Sequence, residues 1–112
     1  MNVKYSVEFN AKQVARLLRE KEISSLAVAS VSVSERDLKI FADALAEACD
    51  GAVKLSVCPN LLRRMESVTA CDTCGTVLFL ERYGVSVHRH LDEALDMMRV
   101  QNVNVLGVVS VK

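Results

Sequence analysis

Two of the four cysteines and both histidines of this chain fall close enough in sequence to share chemistry. Cys71-Asp72-Thr73-Cys74 is a C-x-x-C pair. At a helix N-terminus such a pair has a depressed thiol pKa and can cycle through a disulfide. The flanking patterns put it at the end of a short helix that leads into a strand, the wrong terminus for that effect. The favoured reading is therefore a pair of buried or half-buried thiols. Zinc is the other use. Adding His88 and His90 gives C-x2-C-x13-H-x-H, which departs from zinc-finger spacing at its second half, where about three to five residues separate the histidines. On a helix, positions i and i+2 diverge. No metal centre is expected, and Cys71, Cys74, His88 and His90 are the residues that come nearest to a ligand set. No serine is placed beside a histidine by a recognisable elbow, so no Ser–His–Asp machinery is assigned.

A second region has the layout of a phosphate site without its donors. An apolar strand, Ser25-Leu26-Ala27-Val28-Ala29-Ser30-Val31, runs through Ser32-Val33 into a helix opening at Ser34-Glu35-Arg36-Asp37-Leu38. A phosphate-binding loop of the form G-x-x-x-x-G-K-[ST] needs glycines to wrap backbone N–H groups round an anion. It also needs a lysine for the outer phosphates and a hydroxyl for magnesium. Ser32 to Asp37 contains neither glycine nor lysine. Val33 resists positive φ, and the carboxylates of Glu35 and Asp37 stand where phosphates would arrive. What remains for a residual anion or nucleotide-like ligand is Ser32, Ser34 and Arg36 from the loop, with Arg63 and Arg82 near the carboxyl ends of strands. The plainer reading of the arginines is solvated side chains, and of Ser34-Glu35-Arg36-Asp37 a capped helix start.

The elements that position these residues follow from periodicity. The chain has 112 residues, 51% apolar and 25% charged, enough for one domain spanning 1–112 with a real core. Lys plus Arg equals Asp plus Glu at 14 each, so no overall field favours nucleic acid or an anionic membrane surface. Apolar runs are strand-sized and Met1-Asn2-Val3-Lys4-Tyr5 is no signal-peptide core. The expectation is a cytoplasmic protein with reduced thiols and no direct membrane insertion.

Asn10 is expected to cap a helix carrying Val14, Leu17 and Leu18 and ending near Lys21, with Tyr5-Ser6-Val7 before it as an arm or a marginal edge strand. Residues 25–33 form the first strand. Ser34 and Asp37 resemble a capping box for a helix bearing Leu38, Phe41, Leu45 and Ala48, which Asp50-Gly51 stops. Ala52 to Val57 is a strand ended by Cys58-Pro59. Leu61, Leu62, Met65 and Val68 suggest a short helix after Asn60. Thr76 to Leu80 is a strand that Tyr83-Gly84 turns away from. Leu91, Ala94, Leu95 and Met98 mark the clearest helical stripe, Met97 and Met98 dividing between surface and core, and Val105 to Val109 is the last strand. Continuous apolar strands alternating with amphipathic helices imply an α/β fold. It is a three-layer open sandwich with a small, mainly parallel sheet of about four strands covered by helices on both faces.

Gly75-Thr-Val-Leu-Phe-Leu-Glu-Arg82-Tyr-Gly84, His90-Leu-Asp-Glu-Ala-Leu-Asp-Met-Met-Arg99 and Asn102-Val-Asn-Val-Leu-Gly-Val-Val109 together resemble the closing strand–helix–strand of bacterial capsular and exopolysaccharide tyrosine kinases. These are relatives of the Min and chromosome-partitioning P-loop ATPases. Ala15 to Ala48 resembles the same family's opening, so most of the chain is covered. The departures are systematic. Family members are nearly twice as long, the missing part lying between the second helix and Cys58-Pro59. Where the family has an aspartate before its proline, this chain has Val57 or Cys58, neither of which holds a hard cation. The kinases' tyrosine cluster is not in the chain. Loop lysine, magnesium hydroxyl and acidic residues are all lost, which leaves phosphoryl transfer without electrostatic stabilisation.

The resemblance thus implies a degenerate, shortened, non-catalytic interaction or regulatory domain without cofactor. Its assembly would be a homodimer burying the sheet edge or apolar face that shortening exposes, and its partner a protein of polysaccharide export. The alternatives are a small-ligand or nucleotide binder using the cleft above Ser30–Arg36 and Cys58–Arg63, and a thiol-redox or zinc protein through Cys71 and Cys74.

Overall fold

The computed structural model describes residues 3–82 and 88–111. Tyr83 and Gly84, expected to turn away from a strand, lie outside the described residues, as does the side chain of His88. Helices and strands alternate strictly: α1 (Val3–Glu20), β1 (Ser25–Ala29), α2 (Glu35–Ala48), β2 (Lys54–Cys58), α3 (Met65–Cys74), β3 (Thr76–Arg82), α4 (His88–Val100) and β4 (Asn104–Val111). The four strands form one parallel sheet in the order β2-β1-β3-β4.

Each inner strand feeds two cores, as period-two side-chain alternation requires. Leu26 and Val28 of β1, with Leu78 and Leu80 of β3, pack on one face against Ala11, Val14, Ala15 and Leu18 of α1 and Leu38, Phe41 and Leu45 of α2. Ala27, Ala29, Val77 and Phe79 point to the other face and meet Cys71 of α3 and Ala94 and Met98 of α4. Burial on both faces explains why β1 and β3 read as unbroken apolar runs. The α/β sandwich expected from the sequence is the fold observed.

Helix ends follow local chemistry. The Asp37 N–H donates to Ser34 Oγ at 3.2 Å, the cap expected for α2. Each helix exit carries a left-handed residue, Glu22, Asp50 with Gly51, Gly75 and Asn102, which turns the chain back towards the sheet. At two of them the amide after the left-handed residue closes the turn: Ile23 N donates to Leu18 O at 2.9 Å and Val103 N to Met98 O at 2.9 Å.

Several boundaries differ from the sequence expectation: α3 begins at Met65, leaving Leu61 and Leu62 in the preceding turn, β2 runs from Lys54 to Cys58, and β3 continues to Arg82. Tyr5-Ser6-Val7 is helix, neither arm nor edge strand, and Asn10 is interior to α1 rather than its cap. The stripe Ala11, Val14, Ala15, Leu18 is buried against α2 and the sheet. β1 stops at Ala29 instead of running to residue 33, because the Ser30 side chain captures the backbone beyond it. β4 carries a bulge, Leu106 standing unmatched between the pairs Val77–Val105 and Leu78–Gly107.

Candidate functional site at the carboxyl end of the sheet

β1 leads through α2 to β2 on one side, and β2 leads through α3 to β3 on the other, so the strand order reverses between β1 and β3. In open parallel sheets the crevice outside such a reversal is where ligands bind. Here the crevice contains an interaction that sequence reasoning missed. Glu81, the penultimate residue of β3, is 4% exposed. Its carboxyl group accepts from Ser30 Oγ at 3.0 Å, Val31 N at 3.2 Å, Ser32 N at 3.1 Å and the Ser32 hydroxyl. The β1–α2 loop thus gathers backbone and hydroxyl donors round an anionic group, and that group belongs to the protein itself.

Ser30 organises the loop from within. While its hydroxyl donates to Glu81, its oxygen accepts from Ser32 N at 3.1 Å and Val33 N at 2.8 Å, a serine turn that ends the strand. Arg82 N in turn donates to Ser32 Oγ at 3.4 Å. Glu35 and Asp37, the acids expected at the loop, are instead exposed in the first turn of α2, where carboxylates favour the helix dipole. The residue that fills the loop comes from some fifty positions downstream, a separation of 51 from Ser30. The available signal was a single acid closing an otherwise apolar strand.

Beside this latch lies a cleft of about 490 Å³ lined by Val31, Asn60, Leu62, Arg63, His90 and Glu93. Its walls come from the β1–α2 loop, the β2–α3 loop and the first turns of α4. The loops are pinned by backbone bonds: Ser30 N donates to Cys58 O at 3.4 Å and Leu61 N to Ser30 O at 3.2 Å. Ser67 Oγ, buried, donates to Pro59 O at 2.8 Å.

No family model, curated protein or solved structure matches the chain. The site is therefore read from its own chemistry. Of the five residues that the sequence offered as ligand contacts, Ser32 is engaged by Glu81, Ser34 caps α2, and Arg63 lines the cleft. Arg36 is exposed in the first turn of α2, and Arg82 is exposed at the end of β3. Arg64 meets Glu35 at 3.8 Å across the rim, an exposed pair that adds little to stability.

Of the four residues nearest to a zinc set, the three described side chains, Cys71, Cys74 and His90, do not converge. Cys71 and Cys74 close α3 immediately before β3 begins, whereas His90 lines the cleft at the opposite end of the sheet. The run from Thr76 to Glu81 alone separates those ends by roughly 16 Å at about 3.3 Å per strand residue. Among the described residues no group of three or more His, Cys, Asp or Glu side chains is arranged to hold a metal ion.

Three of the four thiols instead gather at α3, while Cys49 ends α2 in the other core. Cys58, at the end of β2, and Cys71 are fully buried in one core cluster, and Cys74 Sγ lies 3.6 Å from Ser56 Oγ. A hydrogen bond with Cys58, reinforced by burial, holds the Cys71 thiol far above the usual range, while Cys58 is lowered by the same bond. Burial also raises the Cys49 thiol, against the pull of Arg19. Among the described residues no helix is long and apolar enough to cross a membrane.

Proposed function

We propose that the chain is a non-catalytic, cytoplasmic interaction or regulatory domain, a shortened relative of the P-loop tyrosine-kinase fold that serves polysaccharide biosynthesis as a homodimer. The observation that carries the non-catalytic part is the Glu81 carboxyl group in the β1–α2 loop. A loop whose Val31 and Ser32 amides and Ser30 and Ser32 hydroxyls are already engaged by an internal acid offers fewer donors to a nucleotide phosphate, and a second anion brought there meets like-charge repulsion. The homodimer is supported by β4. It pairs with β3 alone, and Asn104–Val111 contains no charged residue, whereas unpaired edges are commonly protected by charge. Val108 on this strand is 43% exposed. The link to polysaccharide export rests on the sequence resemblance.

Titration calorimetry with magnesium–ATP, run beside light scattering of the same sample, tests this reading. No heat with nucleotide and twice the chain mass in scattering are expected. Saturable nucleotide binding refutes the non-catalytic assignment, and a monomer at all concentrations refutes the assembly.

A second reading, a small-ligand binder, is favoured by the cleft beside the latch. Its volume falls within the range of about 300–1,000 Å³ usual for small-molecule sites, and its lining mixes apolar and charged groups.

A further inference from the structure

We infer that the cleft between the β2–α3 loop and α4 binds a small zwitterion, with a free α-amino acid as its chemical class. This deepens the small-ligand reading and is independent of the kinase resemblance. The lining carries one guanidinium, Arg63, and one carboxylate, Glu93, together with the His90 imidazole, the Asn60 amide and the apolar side chains of Val31 and Leu62. Among the described residues neither Arg63 nor Glu93 enters an ion pair.

A guanidinium presents paired N–H donors that match a carboxylate in two-point contact. Glu93 accepts from an ammonium. His90 and Asn60 offer further donors and acceptors, and Val31 with Leu62 gives an apolar side chain a place to rest. A nucleotide or phosphate ester fits this lining poorly. Glu93 and the nearby Glu81 repel a dianion, and one arginine does not compensate. A ligand bearing both charges neutralises both walls at once.

The frame is set before any ligand arrives. Val31 is held by its N–H to Glu81, and Asn60 to Arg63 follow a strand end fixed by Ser30 N to Cys58 O and Leu61 N to Ser30 O. Asn60 itself adopts a left-handed conformation at φ 48, and its carbonyl accepts from both Arg63 N and Arg64 N. That turn fixes the backbone from which the arginine springs. Preorganised walls reduce the ordering cost of binding.

The test is calorimetry and amide chemical-shift mapping on the whole chain with the proteinogenic amino acids. For any that bind, the matching amine without its carboxylate and the acid without its amine are titrated too, with inorganic phosphate and ATP as further arms. At least one amino acid is expected to saturate below millimolar concentration. Both truncated analogues should bind about tenfold more weakly, about 1.4 kcal/mol each.

Arg63→Met and Glu93→Gln, both at exposed positions, should keep the wild-type unfolding midpoint and lower amino-acid affinity by a similar factor. Glu93→Gln should also improve binding of the acid lacking its amine. Binding of simple carboxylates or phosphate in preference to zwitterions overturns the assignment while leaving a ligand site. Silence of the whole panel overturns both the assignment and the small-ligand reading.

Discussion

Glu81→Ala removes the acceptor that four donors of the β1–α2 loop share, and its cost can be worked from the surviving partners. Ser32 N keeps a bond to Ser30 Oγ at 3.1 Å, and Ser32 Oγ, half-buried, has room to turn. Val31 N has no other acceptor, and the fully buried Ser30 hydroxyl loses the group to which it donates. Two orphaned groups at about 1–3 kcal/mol each, less the desolvation relieved when a buried acid is removed, give a net loss of about 1–4 kcal/mol. In thermal terms that is roughly 4–16 °C at about 4 °C per kcal/mol for a domain of this size.

Urea unfolding followed by circular dichroism measures the change through the midpoint at constant slope. Glu35→Ala is the control. It removes the acid that sequence reasoning placed at the loop, and its exposed pair with Arg64 should be worth no more than about 1 kcal/mol. Formate, a carboxylate small enough to enter the space left by the side chain, should restore stability to Glu81→Ala in proportion to its concentration and leave the wild type unmoved. A loss below about 1 kcal/mol, the size of an ordinary substitution, with no response to formate, would refute the claim that this acid holds the loop.

Ser34→Ala should cost about 1 kcal/mol in the same urea assay through loss of the α2 cap, and a change near zero would mean that the cap is redundant. Phe79→Ala, at a fully buried site in the core under α3 and α4, should cost about 3–5 kcal/mol; an unchanged midpoint would contradict the packing. Stability should also fall as the solution becomes alkaline. Cys49 and Cys71 are raised above 9.0 in the folded chain, so the unfolded chain releases these protons first, with a slope of up to about 1.4 kcal/mol per pH unit per thiol. Cys58, lowered by its bond to Cys71, acts in the opposite sense and at lower pH. The Cys49→Ala, Cys71→Ala double variant should lose stability less steeply than wild type between pH values near 9 and above, and equal slopes would place the effect on other groups.

Much of the architecture was legible because its signals are local. Both faces of β1 and β3 are buried, which writes continuous apolar runs. Ser34, with Asp37 three residues on, announces a helix start, and Asp50-Gly51 a helix stop. Where the outcome depended on distant partners, the sequence was mute. The helix start at Val3 carries no cap residue to announce it. The latch was equally invisible. Glu81 sits in a Leu-Glu-Arg run that looks like a strand reaching solvent, and nothing near it names Ser30 or Ser32 as its partners. Glycines and a lysine are the usual signal of an anion-gathering loop, yet here serine hydroxyls and ordinary backbone amides gather an acid without them.

The placement of β1 bears on how the chain is made. The first of the four strands in sequence is an inner one, and it acquires β2 early but β3 only after α3 has been synthesised. Until then the residues that will face β3 have no mate, and the Ser30–Glu81 contact must close a separation of 51 residues, an entropic cost of about 3–4 kcal/mol before its constant term. An emerging fragment that ends after β2 is therefore half a sheet with one flank open. Closing the sheet awaits β3, and a fragment that ends before it exposes an unpaired strand flank of the kind that favours association.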